Sequence, residues 1–421
     1  MKTDSADLLS KILDHSLPGI TALDHFIFPD YHGRTIANLP GSICQWLQAK
    51  PLGLPLHSDY LQHFGAHYRQ VILVVVDGLG WDMLHRMTAE KPELSNRYQN
   101  TTILPLGSVA PSTTSAALTS LWTGAAPGQH GIVGYEIWLK EFNLIANLIQ
   151  FSPTAYTEPG VLQRMGLHPE TFVSLPRLGH HLAAQGISTT AYLPAAISRS
   201  TLTQMHTGGA ALFGYRSTAD LWVTLRQAVT RQTTDFAYHW VYIPEMDTLS
   251  HFYGPNDERI TMEFEAFSNQ LFHLAASLPS DVLLLVTADH GQIATPQEPK
   301  FELARQPVIQ NQLMMSPFGE SRLAYLLPRG KTLAELQQQF QTAWPGEFDL
   351  RRSAEWAAAG LFGPPETWHP ALLDRIGEYT AAALDCAYIW WAPKENHLLG
   401  RHGGLSRAEM LVPLIQVFTG Q

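Results

Sequence analysis

The chain has 421 residues, 45% hydrophobic and 15% charged, which supports a large buried core and excludes a predominantly disordered protein. A formal net charge of −10 excludes a broad basic surface for a nucleic-acid polymer or anionic lipid, so an anionic ligand would need a local positive site. Two cysteines far apart, Cys44 and Cys386, exclude a disulfide framework and fit a reducing compartment.

In chain order, residues 1–70 read as a helical lead-in, with helical apolar spacing in IANLPGSICQWLQ and SDYLQHFGAHYRQ. The opening MKTDSADLLSKILDHSL lacks the apolar stretch of a signal peptide. The runs at 71–76 and 282–286 are too short to span a bilayer, so the expectation is a cytoplasmic protein without a membrane partner. VILVVV then predicts a strand buried on both faces that ends at Asp77-Gly78. FAYHWVYIP leads into Glu245-Met246-Asp247, and DVLLLVTA ends at Asp289-His290-Gly291. Further strands are expected at 187–193, 322–328, 386–391 and 410–418, and helices at 115–122, 218–230, 256–278, 332–341 and 370–384. The alternation predicts an α/β fold with a mostly parallel central sheet and helices on both faces. The expected core comprises 71–293 and 385–421, with an irregular insertion at about 140–215 and an inserted cap segment at 294–384.

Polar residues gather where the three most apolar strands end, the edge at which open α/β sheets bind ligands. Asp77 alone reads as a turn aspartate. Asp289-His290 repeats the placement with an oxygen and a nitrogen donor of the kind zinc accepts. Asp247 and His251 are four apart and share a helix face. His402, in Arg401-His402-Gly403-Gly404, is a loop histidine by itself and gains weight by completing a set of three aspartates and three histidines. Divided in two, that set leaves open positions on each of two ions for a nucleophile and a substrate. APSTTSAALTSLWTG supplies hydroxyls where a loop turns into a helix. Capping explains such hydroxyls, but a helix N-terminus also suits phosphate oxygens.

The order of D-G after a strand, a hydroxyl segment running to W-T-G and Q-H-G-I, D-x-x-x-H, D-H-G and a late H-G-G resembles the alkaline phosphatase superfamily. Within it, the nucleotide pyrophosphatase/phosphodiesterase (type I phosphodiesterase) family is the nearest match, over about residues 70–130, 236–292 and 385–418. The resemblance implies an alkaline-phosphatase-like α/β sandwich, two zinc ions (manganese or iron as alternatives) and a covalent phospho-threonine. It implies that Asp77, Asp289 and His290 hold the ion that activates the nucleophile, and that Asp247, His251 and His402 hold the other. The family threonine falls on Thr114, a nucleophile that also touches metal, with Thr113 and Ser112 beside it. The family's phosphate-binding asparagine falls on Tyr135, and the next asparagine is Asn143.

The expected activity is metal-dependent hydrolysis of phosphodiester or pyrophosphate bonds in a small nucleotide-type substrate. Alternatives are a phosphomonoesterase or phosphomutase, a phosphonate hydrolase, and a non-catalytic metal-binding protein. The ending G-R-H-G-G-L-S resembles cofactor-independent phosphoglycerate mutases, whereas the sulfatase C/S-x-P-x-R segment is missing at the nucleophile. A dinucleotide fingerprint at Asp77-Gly-Leu-Gly80 fails because position 83 is methionine. His130, His180 and His181 read as structural or surface histidines, and Trp390 and Trp391 as packing residues.

Overall fold

The computed structural model describes residues 3–21, 25–231 and 236–420, so the parts of the expected lead-in at 1–2 and 22–24 lie outside the described residues. The β-branched runs form strands. Gln70–Val76, Ala237–Ile243 and Val282–Thr287 are buried at every position, which requires cover on both faces. They form the middle of a seven-stranded sheet, in the order Thr102–Gly107, Leu411–Val417, Val282–Thr287, Gln70–Val76, Ala237–Ile243, Ser188–Pro194, Ala211–Tyr215. Leu411–Val417 is antiparallel to both its neighbours, so every other strand points the same way. The α/β fold with a mostly parallel sheet is the one the sequence predicts, and helices such as Thr218–Arg231 and Glu258–Ser277 pack around the sheet with their apolar sides in its core. Register then positions the site. Val75 pairs with Tyr242 and Thr287, so Asp77 and Asp289, two residues further on, emerge level at one edge.

A second sheet, antiparallel throughout, joins Phe348–Arg352, Tyr379–Ala383, Leu323–Leu326, Phe318–Glu320, Glu136–Leu139, Leu144–Asn147 and Ser152–Pro153 in that order. Its side chains alternate between two cores. Leu323 and Tyr325 pack with Ile137 and Trp356, whereas Ala324 and Leu326 pack with Leu336, Phe340 and Trp344. Two sequence expectations fail here. Residues 370–384 form only the short helix Leu372–Arg375 and then the strand Tyr379–Ala383, because pairing on both sides overrides the helical preference of its alanines. Residues 386–391 form no strand. Ala387, Tyr388 and Ile389 are held instead by burial beside Phe301 and Leu336. Among the described residues, no helix is long and apolar enough to cross a membrane.

One buried ion pair ties the sheets together. The Arg322 guanidinium donates two parallel hydrogen bonds, of 2.8 and 2.9 Å, to Glu409, just before the Leu411–Val417 strand, and both side chains are 0% exposed. Replacing Arg322 with alanine leaves a buried carboxylate unpaired and is expected to destabilise the fold by about 3–5 kcal/mol in urea unfolding. The Arg322→Ala/Glu409→Ala double variant should lose less than Arg322→Ala alone; a loss equal to the sum of the two single-variant losses would mean the pair is not coupled.

Candidate metal centre and nucleophile

Two clusters form at the sheet edge. Asp77, Asp289 and His290 are fully buried and lie within mutual ligating reach, as do Asp247, His251 and His402, which are partly exposed. All six residues expected from the sequence are therefore brought to one place. His290 and His402 stack with ring centroids 3.8 Å apart, so the clusters adjoin. Gly78 has φ +77, and a Cβ there would approach Asp247 to 3.1 Å, so glycine lets the loop after the Gln70–Val76 strand reach the second cluster.

The charge state favours a cation between these groups. Burial raises the Asp77 carboxyl above its ordinary range, with Asp289 and Asp247 adding to the shift, and burial likewise raises Asp289. Asp77 Oδ1 and Asp289 Oδ2 are buried without a hydrogen-bond partner. The histidines are arranged as ligands. Nδ1 of His290 faces the Gly291 carbonyl at 3.1 Å, that of His251 the Gly400 carbonyl at 2.8 Å, and that of His402 the Ser112 carbonyl at 3.1 Å. A carbonyl only accepts, so each Nδ1 carries the proton and each Nε2 offers its lone pair to the cluster. Burial, then His290 and His251, pushes His402 well below the ordinary imidazole range and keeps it neutral. Orphaned carboxylate oxygens and unprotonated Nε2 atoms together fit divalent cations.

Thr114 opens the buried helix Thr114–Thr123, and its hydroxyl lies 3.2 Å from His290 Nε2. Its neighbours turn elsewhere: Ser112 donates to the Gly404 carbonyl at 2.7 Å, and the Thr113 hydroxyl bonds Glu320. Tyr135 bonds the same carboxylate as Thr113. Its N–H donates to Glu320 Oε1 at 2.6 Å, and its hydroxyl accepts from Asn147, so Asn147 and not Asn143 is the asparagine nearby. His130 is buried against Ser120, and Trp390 and Trp391 pack on the core beside the second sheet.

Three residues escaped the sequence reading. Tyr242 donates its hydroxyl to Asp77 Oδ2, and Gln292 donates its amide to Asp247. Tyr242 lies five residues before Asp247 and Gln292 two after His290, the one sequence signal that either carried. Glu320 gave no signal, because it reaches Thr113 only through the second sheet.

The family described as Type I phosphodiesterase / nucleotide pyrophosphatase matches residues 71–403. Murine ectonucleotide pyrophosphatase/phosphodiesterase 5, an inactive variant in complex with AMP, is similar in structure at 20% identity and TM-score 0.62, over 82% of this chain and 87% of that one. The human protein of the same name gives 18% identity and TM-score 0.56, covering 82% and 87%. Phosphonoacetate hydrolase from Sinorhizobium meliloti 1021, in complex with phosphonoformate, gives 17% identity and TM-score 0.57, covering 83% and 90%. No curated protein sequence matches the chain significantly.

Burial pushes the Glu320 carboxyl up to about 8, although Thr113 and the Tyr135 N–H partly stabilise its charged form. Between the ordinary carboxyl range and that value, the folded chain keeps a proton that the unfolded chain has lost. Stability from this group therefore falls as pH rises through that window and levels off above it. Glu320→Gln should flatten the fall in Tm measured between pH ~5 and ~8; an unchanged slope would show that Glu320 does not titrate there.

Proposed function

The chain belongs to the Type I phosphodiesterase / nucleotide pyrophosphatase family, a family of hydrolases acting on phosphate ester bonds, and from that premise we propose that it cleaves phosphodiester or pyrophosphate bonds of small nucleotide-type substrates through a phospho-threonine at Thr114. The observation that carries this reading is the Thr114 hydroxyl, at the N-terminal end of a buried helix and beside two clusters of ligating atoms. Asp77, Asp289 and His290 would hold one divalent ion and Asp247, His251 and His402 another, zinc first with manganese or iron as alternatives, and ions bound there lower a hydroxyl's pKa and neutralise charge on phosphoryl oxygens.

The chain's own groups account for the rest. Tyr242 holds Asp77, and the three backbone carbonyls hold the histidine rings, so the ligating atoms need no rearrangement when substrate enters. The free N–H groups at the start of the Thr114–Thr123 helix face phosphoryl oxygens, with Tyr135 beside them as a further contact to substrate. Thr114 Oγ1 attacks phosphorus in line, forming the Thr114–phosphorus bond as the bond to the leaving oxygen breaks. Water then cleaves the phospho-threonine, releasing the remaining phosphate ester and restoring the hydroxyl.

Charge favours a diester. Three carboxylates against two divalent ions leave about one positive charge, which an ionised Thr114 cancels. Among the described residues, no lysine or arginine hydrogen-bonds to these six groups or to Thr114, so a second negative charge on a monoester has little to meet it. The unpaired Cys44 and Cys386 are consistent with the reducing cytoplasm.

Hydrolysis of thymidine 5′-monophosphate p-nitrophenyl ester should exceed that of p-nitrophenyl phosphate when zinc or manganese is supplied. A monoester preference would move the activity to a phosphatase or mutase, and turnover of phosphonoacetate alone would move it to a phosphonate hydrolase. Thr114→Ala should reduce turnover by at least about a thousandfold. It should keep most of the metal-induced stabilisation, about 2.7 kcal/mol at a hundred times the Kd. Retained activity would transfer the role to Thr113 or Ser112.

A further inference from the structure

We propose that Gln292 is a positioning residue that holds the Asp247 carboxylate in ligating geometry and sets the metal affinity of the Asp247, His251 and His402 group independently of the other. This rests on the two-ion reading above. Gln292 is 4% exposed and donates Nε2 to Asp247 Oδ1 and, at 3.2 Å, to the Asp247 carbonyl. Both partners are acceptors, so the amide nitrogen must face them and the orientation of the side chain is dictated by chemistry. Asp247 Oδ1 is also the atom on which the group converges, 3.4 Å from His251 Nε2 and 3.8 Å from His402 Nε2. Gln292 Oε1 is buried with no hydrogen-bond partner, a cost that an apolar side chain of the same size would avoid.

The backbone fixes Gln292 as firmly as its amide fixes Asp247. Ile293–Ala294 pairs antiparallel with Gly400–Arg401, in a two-stranded ribbon flanked by Gln292 and His402. A Cβ on Gly400 would lie 2.6 Å from Gln292 Oε1 and 2.3 Å from the Ser250 carbonyl, so that position requires glycine. The Gly400 carbonyl in turn accepts from His251. One short ribbon thus orients all three members of the second group: Asp247 through Gln292, His251 through Gly400, and His402 by direct continuation. The first group has a different holder, Tyr242 on Asp77. Separate holders predict separable affinities.

The test uses the full chain loaded with zinc, titrated with a chelator, with bound zinc measured per chain. In Gln292→Met, which keeps the volume, and Gln292→Asn, which keeps the amide but falls short of Asp247, one equivalent should leave at 10- to 100-fold lower chelator strength. The other equivalent should leave as in the wild type, and Tyr242→Phe should weaken that one instead. Unchanged release of both ions, or joint loss of both, in the two Gln292 variants overturns the proposal. Fewer than two equivalents on the wild type overturns the two-ion reading and this proposal with it, whereas two on the wild type with unaltered variants overturns this proposal alone.

Discussion

Asp77 and Asp289 stand level at the ends of strands buried on both faces, where almost no water reaches a carboxylate and, among the described residues, no lysine or arginine pairs with either. Two such groups cannot both ionise in that setting without a compensating cation, and Asp247 adds a third charge from the neighbouring helix Glu245–Tyr253. The rest of the site follows from this. Histidine rings with their protons turned outward, oxygens left unpaired, and a hydroxyl rather than a basic side chain at the helix start are all what a centre of borrowed positive charge requires.

The second sheet does more than cover the first. It sends Glu320 to Thr113 and to the backbone of Tyr135, and Arg322 to Glu409. Glu409 also accepts the Gly404 N–H at 2.8 Å, so the loop that carries His402 is braced from the same strands that brace the loop before Thr114. A change in that sheet would therefore reach the chemistry through hydrogen bonds, without any of its residues touching the ligating atoms.

Legibility followed the range of the interactions. The central strands could be read because residues such as Val71 to Val76 declare burial on both faces, and their Asp-Gly and Asp-His-Gly endings mark the sheet edge locally. The three helices Thr218–Arg231, Glu258–Ser277 and Leu333–Ala343 carried their own periodicity, the last with a Thr332–Glu335 capping box. The second sheet could not be read in the same way, because strands such as Phe318–Glu320 are short and find partners nearly two hundred positions away, as at Gly319 and Glu136. Tyr379–Ala383 is stranded only because both neighbours pair with it, which its alanines do not announce. Tyr242 and Gln292 were hidden differently: each looked like part of an apolar strand or a turn until the fold brought a carboxylate against it.

The position of Leu411–Val417 has a bearing on how the protein is made. It lies inside the central sheet, between Thr102–Gly107 and Val282–Thr287, and follows His402 by only a few residues. On the ribosome, the first of these flanking strands emerges some three hundred residues before the strand that links it to the rest. Until that strand joins, the sheet stays split and the Ser112 carbonyl, two residues before Thr114, lacks the His402 ring. The candidate site is thus completed by the pairing of greatest sequence separation in the central sheet, which costs more chain entropy to form than any local one.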